Sequence, residues 1–250
     1  VKLLASYSVG LDHIDLDAAA RKGIKVTSTP DVLTEATADI AILLILGVMR
    51  GISPAQKLVT SQTWEGWSPN QIFGYDLGGK TLGILGGGRI GAATAKRAKV
   101  LGMKLAYHSR NPSEPLEALG ASYIPVLDHF WETCELLSLH LPLTSETHHI
   151  VNTNTLARMK PGSMIVNTAR GGLIDDNALI RAASQGHIVG IGLDVYADEP
   201  RIHPGYLTLR NAFLLPHMGS ATHETRQAMG MAVIHSLHAN ILQSAGQAFD

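Results

Sequence analysis

The stretch "TLGILGGGRIGAATAKRA", Thr81 to Ala98, constrains this chain more than any other. A short apolar run ends in glycines, and the glycines open an alanine-rich helical pattern. Gly86, Gly88 and Gly91 stand there in the G-x-G-x-x-G spacing. Each has its own mechanical reason. Gly86 permits a tight turn, Gly88 lets backbone approach a pyrophosphate, and Gly91 lets helix and strand pack closely. Arg89 and Ile90 begin the helix, whose unpaired N–H groups and dipole favour phosphates. Glycines alone often mark only a turn; a strand before and a helix after them point to a dinucleotide site.

From Thr81 onward a regular alternation follows. "TLGILG", "MKLAYH", "SYIP", "ELLSLHLP", "SMIVNTA", "VGIGLDV" and "AFLLPH" read as strands, most of them separated by helical stretches. Short apolar runs alternating with amphipathic segments give an α/β fold with a doubly wound parallel sheet of the Rossmann kind. Upstream, Val1–Ser6 reads as a strand, "LDHIDLDAAARKGI" as a helix ending at Gly23, and "KVTSTP" as a second strand. A long apolar helix, "TEATADIAILLILGVMRG", follows with Thr34 as its expected N-cap. Ser61 to Gly79 reads as a long loop rich in Gly, Trp and Pro, which suits a functional or interface role. A last helix spans roughly "SATHETRQAMGMAVIHSLHANILQ".

Composition narrows the partners. Hydrophobic residues make up 45% of the 250, charged residues 16%, and the net charge is −1, which fits a globular chain with a sizeable core and no nucleic-acid partner. The longest apolar run, "IAILLILGVM", is about half the ~20 residues that span a bilayer, so no membrane partner is expected either. No signal-peptide pattern is present, and the single cysteine, Cys134, cannot form an internal disulfide; a cytoplasmic home is the expectation. The start at "VKLLAS" reads as the middle of a fold, with residues upstream expected.

The adenosine end carries an anomaly. In "LAYHSRNP" the second strand of the unit ends without the usual acid; Ser109 lies 18 residues beyond Gly91 and Arg110 follows it. A carboxylate near the ~20-residue spacing binds the ribose 2′-hydroxyl and would repel a 2′-phosphate. A hydroxyl followed by a guanidinium accepts that phosphate instead, so NADP(H) is the preferred cofactor and NAD(H) a possible one. Arg110 taken alone is an ordinary solvated charge.

Ligands of open parallel sheets bind beyond the carboxyl ends of the strands. Three groups there suit hydride chemistry on a keto acid. Arg170 offers a fork of donors matching a carboxylate and able to polarise a neighbouring carbonyl. His217 is a natural proton donor, and Glu199, if it touches His217, favours the imidazolium and fixes the ring. Singly, each has a bland alternative: a surface histidine among 12, a turn at Glu199-Pro200, a capping arginine. Their joint placement at the ends of strands carries the argument.

These motifs, together with "SVGLDHIDLDAAARKGIKVTSTPDVLTEATADIAILLIL", "VNTARGGLIDDNALIRA", "GLDVYADEP" and "LLPHMGSAT", resemble the D-isomer-specific 2-hydroxyacid dehydrogenases, most of all their glyoxylate/hydroxypyruvate reductases. The resemblance covers nearly all of the chain. It implies catalytic roles for Arg170, Glu199 and His217, with the substrate carboxylate held by the backbone at Val9 and Gly10 and by Arg170. It implies that Asp194 meets the nicotinamide carboxamide. Leu141, Pro142, Thr147, Thr168, Ala169, Arg170, His217 and Gly219 would line the cofactor cleft with the glycine loop, Ser109 and Arg110. The implied architecture is a dinucleotide-binding domain at 31–217 and a partial, flavodoxin-like substrate domain at 1–30 and 218–250, N-terminally incomplete. The tail "QSAGQAFD" departs from the family's usual end. The implied partner is a small 2-keto or 2-hydroxy acid, and the implied assembly a homodimer built through the cofactor domain.

Other functions stay in view. A D-lactate-type or phosphoglycerate-type dehydrogenase shares the machinery, and the C-terminal binding protein corepressors use the same fold as a nucleotide-sensing module. The formate enzymes of similar fold have an amide where Glu199 stands. No metal is expected: His148-His149 and the pair His235 and His238 lack a ligand set with zinc or iron spacing. Cys134 has no evident base, which favours a buried apolar role.

Overall fold

The computed structural model describes residues 1–246, so the end of "QSAGQAFD" lies outside the described residues. The elements in chain order are β1 (Leu3–Ala5), α1 (Leu16–Arg21), β2 (Lys25–Thr27), α2 (Thr34–Met49), α3 (Ile52–Thr60), β3 (Thr81–Leu85), α4 (Arg89–Val100) and β4 (Lys104–His108). There follow α5 (Glu114–Ala118), β5 (Ser122–Tyr123), α6 (Leu127–Thr133), β6 (Leu136–Leu139), α7 (Thr153–Arg158) and β7 (Ser163–Asn167). The last are α8 (Asp176–Ser184), β8 (Ile188–Leu193), α9 (Pro204–Leu207), β9 (Ala212–Leu214) and α10 (His223–Gly246). The chain divides into two compact units, one of Val1–Ala36 with the segment from Ser220 onward, the other Thr37–Gly219.

In the first unit β1 and β2 pair in parallel, joined by α1, and Ser236 on α10 donates to the Thr27 hydroxyl at 2.8 Å. Helix α1 is shorter than the pattern from Leu11 to Ile24 suggests. The Asp15 carboxylate accepts the Ala18 N–H at 2.8 Å and caps the helix there, while Ile14 N–H closes a turn onto Leu11.

The second unit is a seven-stranded sheet of order β5-β4-β3-β6-β7-β8-β9, every pair parallel. The chain winds outward from β3 to β5, returns to β6 beside β3, and winds the other way, so the order reverses between β3 and β6. Both faces are covered. Leu44, Ile45 and Val48 of α2 and Ala95 and Ala98 of α4 join one buried cluster; Phe130, Trp131, Leu156 and Leu179 of α6, α7 and α8 join the other. Buried Cys134 belongs to the second cluster, and burial pushes its thiol up to about 12.

One local expectation is corrected. Thr34 is the first residue of α2 and not its N-cap, because a turn at Asp31 (φ 72°) already delivers the Thr34 N–H to the Asp31 carbonyl at 3.2 Å. Helix α3 fills a stretch to which the sequence pattern assigns no element: Gly51, at φ 62°, ends the run of α2 and caps the new helix. From Ser61 to Gly79 the chain forms no helix or strand. No single helix among the described residues is long and apolar enough to cross a membrane, although α2 and α3, bent by 74°, pass that test as a pair.

Candidate active site

One row of paired residues crosses the sheet at its carboxyl edge: His108, Leu85, Leu139, Asn167, Leu193 and Leu214. Every functional segment of this unit leaves the sheet from that row. Gly86 follows Leu85, Ser109 follows His108, Leu141 lies two residues past Leu139, Thr168 follows Asn167, and Asp194 follows Leu193. Strands in a sheet lie ≈ 4.8 Å apart, so Ser109 and Arg170 leave the edge about 14 Å from one another, three strand spacings away.

The glycine loop uses its missing side chains differently at each position. Gly86 has φ 111°, and a Cβ there would stand 2.5 Å from the His140 carbonyl oxygen. At Gly91 a Cβ would meet the Gly86 carbonyl oxygen at 2.3 Å, so helix α4 and strand β3 touch through glycine. Gly88 is different: nothing lies within 4 Å of a Cβ built there, and it is the N-cap of the 12-residue α4. Open space in front of Gly88, at the N-terminus of α4, suits a pyrophosphate. The buried Thr168 hydroxyl has no hydrogen-bond partner among the described residues, a second feature at the same edge that fits a bound dinucleotide.

The adenosine side holds two residues that the motif does not reveal. Gly87 lets the loops meet, since a Cβ there would stand 2.9 Å from the Ser109 Oγ. Ser113 Oγ donates to the Gly87 carbonyl at 2.9 Å, and the Ser113 N–H donates to the Tyr107 hydroxyl at 3.0 Å. Ser109 Oγ donates to the Asn111 carbonyl at 2.6 Å, and Arg110 is exposed. Beside the loop His140 is held near its Ser138 neighbour, Nε2 to Oγ 2.9 Å, and burial depresses its pKa to about 4.

At the other end Arg170, Glu199 and His217 follow β7, β8 and β9, three adjacent parallel strands that end level with one another. His217 Nδ1 and Glu199 Oε2 are 2.6 Å apart. The carboxylate only accepts, so Nδ1 carries the proton in that bond. Nε2 makes no hydrogen bond among the described residues, and the side chain is 51% exposed. Arg170 Nη1 donates to the Ala169 carbonyl at 2.7 Å.

Buried polar groups hold these three in place. Fully buried Asn167 accepts the Ala169 N–H at 2.9 Å and donates to the Arg170 carbonyl at 2.8 Å, shaping the turn that carries the guanidinium. Asp194, 1% exposed, accepts the N–H groups of Met218 and Gly219 at 2.7 and 2.8 Å. It pins the turn in which His217 sits at φ 53°, a conformation costing about 1–3 kcal/mol for a non-glycine residue. Burial raises the Asp194 carboxyl above its usual range, against the pull of those two N–H groups. Thr37 adds a bond to the Gly219 carbonyl at 3.2 Å.

The remaining sequence-derived residues fall as follows. Leu141 packs on the core, and the Thr147 hydroxyl donates to the Pro142 carbonyl at 2.7 Å, closing the loop after β6. Ala169 lies in the Asn167 turn, and Gly219 lies against Asp194 and Thr37. Val9 and Gly10 lie in the first unit, where Ser8 Oγ donates to the Gly10 carbonyl at 2.6 Å. His148 and His149 stack at 3.8 Å, and His235 and His238 lie exposed on α10. Among the described residues no group of three or more metal-ligating side chains forms.

Residues 42–219 match the sequence model of the D-isomer specific 2-hydroxyacid dehydrogenase NAD-binding domain. The chain is 47% identical to the glyoxylate reductase of Thermococcus litoralis over 242 residues, 95% of this chain and 73% of that protein. Among solved structures it is similar to the NADPH-dependent glyoxylate/hydroxypyruvate reductase of Sinorhizobium meliloti in complex with NADP and malonate. There the TM-score is 0.89 at 39% identity, over 96% of this chain and 74% of that one. It is also similar to the D-lactate dehydrogenase of Aquifex aeolicus complexed with NAD and lactic acid, with a TM-score of 0.88 at 31% identity over 99% and 78% of the two chains.

Proposed function

The chain belongs to the D-isomer specific 2-hydroxyacid dehydrogenase family, and from that premise we propose that it reduces small 2-keto acids of the glyoxylate and hydroxypyruvate kind to D-2-hydroxy acids with NADPH. The nicotinamide supplies the hydride. Arg170 binds the substrate carboxylate and polarises its ketone. His217 donates the proton to the forming alkoxide from Nε2, while Glu199 holds Nδ1 and fixes the ring. The single observation that carries the reading is the 2.6 Å His217–Glu199 couple, carried by the segments after β8 and β9, which lie next in the sheet order to β7, the strand that leads to Arg170.

The nucleotide end completes it. The glycine loop receives the pyrophosphate, Thr168 and Ala169 line the cleft with Leu141, Pro142 and Thr147, and Ser109 with Arg110 accepts the 2′-phosphate. Asp194 meets the carboxamide with the lone pairs that Met218 and Gly219 leave available. The parallel β1–α1–β2 unit belongs to a flavodoxin-like substrate domain. The protein works in the cytoplasm as a homodimer through the cofactor domain, a reading supported by the exposed aromatic side chains of Trp64, Trp67 and Phe73 on the long loop. Light scattering tests the assembly: a dimer mass supports it and a monomer mass refutes it.

Oxidation of NADPH followed at its absorbance, with glyoxylate, hydroxypyruvate, pyruvate and a phosphorylated 2-keto acid as substrates, tests the activity. Turnover highest with the first two is expected. Intact NADPH binding without turnover of any keto acid would favour the nucleotide-sensing module.

A further inference from the structure

One residue at the hydride end, Tyr196, touches Glu199 and the segments that carry Arg170 and His217. Its backbone N–H donates to Glu199 Oε1 at 2.9 Å, the carboxylate oxygen that does not touch His217. Its hydroxyl donates to the Leu215 carbonyl at 2.8 Å, two residues before His217, with the Leu193 carbonyl at 3.3 Å on the other side. The backbone of Tyr196 and Ala197 also lies against Gly171, the residue after Arg170; a Cβ on Gly171 would stand 1.9 Å from the Tyr196 carbonyl carbon. One residue thus reaches the exits of β7, β8 and β9. The side chain is 8% exposed. Burial pushes its hydroxyl up to about 12, so it stays a donor through the neutral range.

From these contacts we infer that Tyr196 is the positioning residue that fixes Glu199 and His217 relative to Arg170, its hydroxyl acting as the tie between the β8 and β9 exits. Nothing in its chemistry reaches substrate. Its effect passes through the geometry of the couple: without the hydroxyl, the segment Leu215–His217 loses its hydrogen bond to the residue that anchors Glu199. The inference rests on the proposed reductase reading for its kinetic consequence, but not for its structural one.

The test compares Tyr196→Phe with wild type, and with Tyr206→Phe as a control. Tyr206 is likewise buried, and its hydroxyl meets Asp176 at 2.7 Å, outside the proposed machinery. In Y196F, kcat for glyoxylate is expected to fall about tenfold, the scale of one net hydrogen bond realised in the transition state. The KM for NADPH should stay within about twofold, because the glycine loop is untouched. The deuterium isotope effect with 4-deuterated NADPH should rise as hydride transfer becomes slower. Y206F should lose thermal stability and keep its kcat and isotope effect. If Y196F loses stability in the same way with kcat and isotope effect unchanged, the positioning role is refuted.

A second readout needs no turnover. The His217 Nδ1–H proton, bonded to Glu199, should give a downfield proton resonance identified by its loss in Glu199→Gln. Y196F should shift it upfield and broaden it; an unchanged line overturns the inference. A wild-type protein without keto acid reductase activity would refute the proposed function and leave this resonance test standing.

Discussion

The two ends of the carboxyl edge are built from opposite materials. The nucleotide end is made of backbone and missing side chains: Gly86, Gly87, Gly88 and Gly91 allow approaches that any Cβ would block or fill. The hydride end is made of side chains carried on turns whose backbone other residues hold, with Asn167, Asp194 and Tyr196 fixing the segments that carry Arg170, Glu199 and His217. Phosphates ask for N–H groups and room, which glycine provides locally. Proton transfer asks for a ring and a guanidinium aimed at one carbon, which needs three strands to agree.

Substitutions can break this contrast. The largest effect is expected at His217: H217N should lower kcat by about 10²–10⁴-fold with NADPH binding retained, read by steady-state kinetics and by fluorescence titration. Loss of NADPH binding in H217N would mean the two ends are not separable.

The glycines divide next. G91A drives a Cβ into the Gly86 carbonyl and should cost about 3 kcal/mol, a drop of about 10 °C in Tm for a unit of this size. G88A meets nothing in the protein and should leave Tm nearly unchanged while weakening NADPH binding by about tenfold or more. Equal thermal losses in the two variants would contradict the distinction between a packing glycine and a phosphate glycine.

His140 gives the nucleotide end a pH signature. Its folded pKa is depressed from 6.5 to about 4, so the native ring stays neutral while the unfolded ring takes a proton. Its contribution to stability is whole above pH 6.5 and is lost as pH falls through about 4, up to about 3 kcal/mol. Denaturant titrations between pH 7 and 4 should show a decline that is shallower in H140N. The same slope in both would assign the decline to other groups.

A smaller effect is expected at the adenosine end. The double substitution S109D/R110A should move the NADPH-to-NADH preference by about 30-fold, the loss of charge-assisted hydrogen bonds of about 1.5–3 kcal/mol together with repulsion of the phosphate. An unmoved preference would place the 2′-phosphate elsewhere.

The same contrast explains what could be read from the sequence. The glycine loop, the start of α4 at Arg89 and the residues after β4 are local, so spacing alone locates them. Arg170, Glu199 and His217 were legible as residue types at the ends of strands, because each strand is a short apolar run. Their supports were not. Asn167 reads as the end of a strand and Asp194 as a cofactor contact, while Tyr196 carries no motif; the partners of the last two lie up to 25 residues away in sequence, as in the Asp194–Gly219 bond. Those long pairings depend on β8 and β9 being neighbours, which is a property of the sheet order and not of any window of sequence. Helix α1 shows the converse on a small scale: periodicity extends it to Leu11, while a single capping carboxylate, Asp15, begins it later.

The most direct test is a crystal structure of the protein with NADP and a non-reducible 2-keto acid analogue. The account predicts the analogue's carboxylate on the Arg170 guanidinium and its carbonyl oxygen within hydrogen-bond reach of both Arg170 and His217 Nε2, with Glu199 still on Nδ1. An analogue bound with His217 turned away from the carbonyl, or with Arg170 engaged only with the protein, would contradict it.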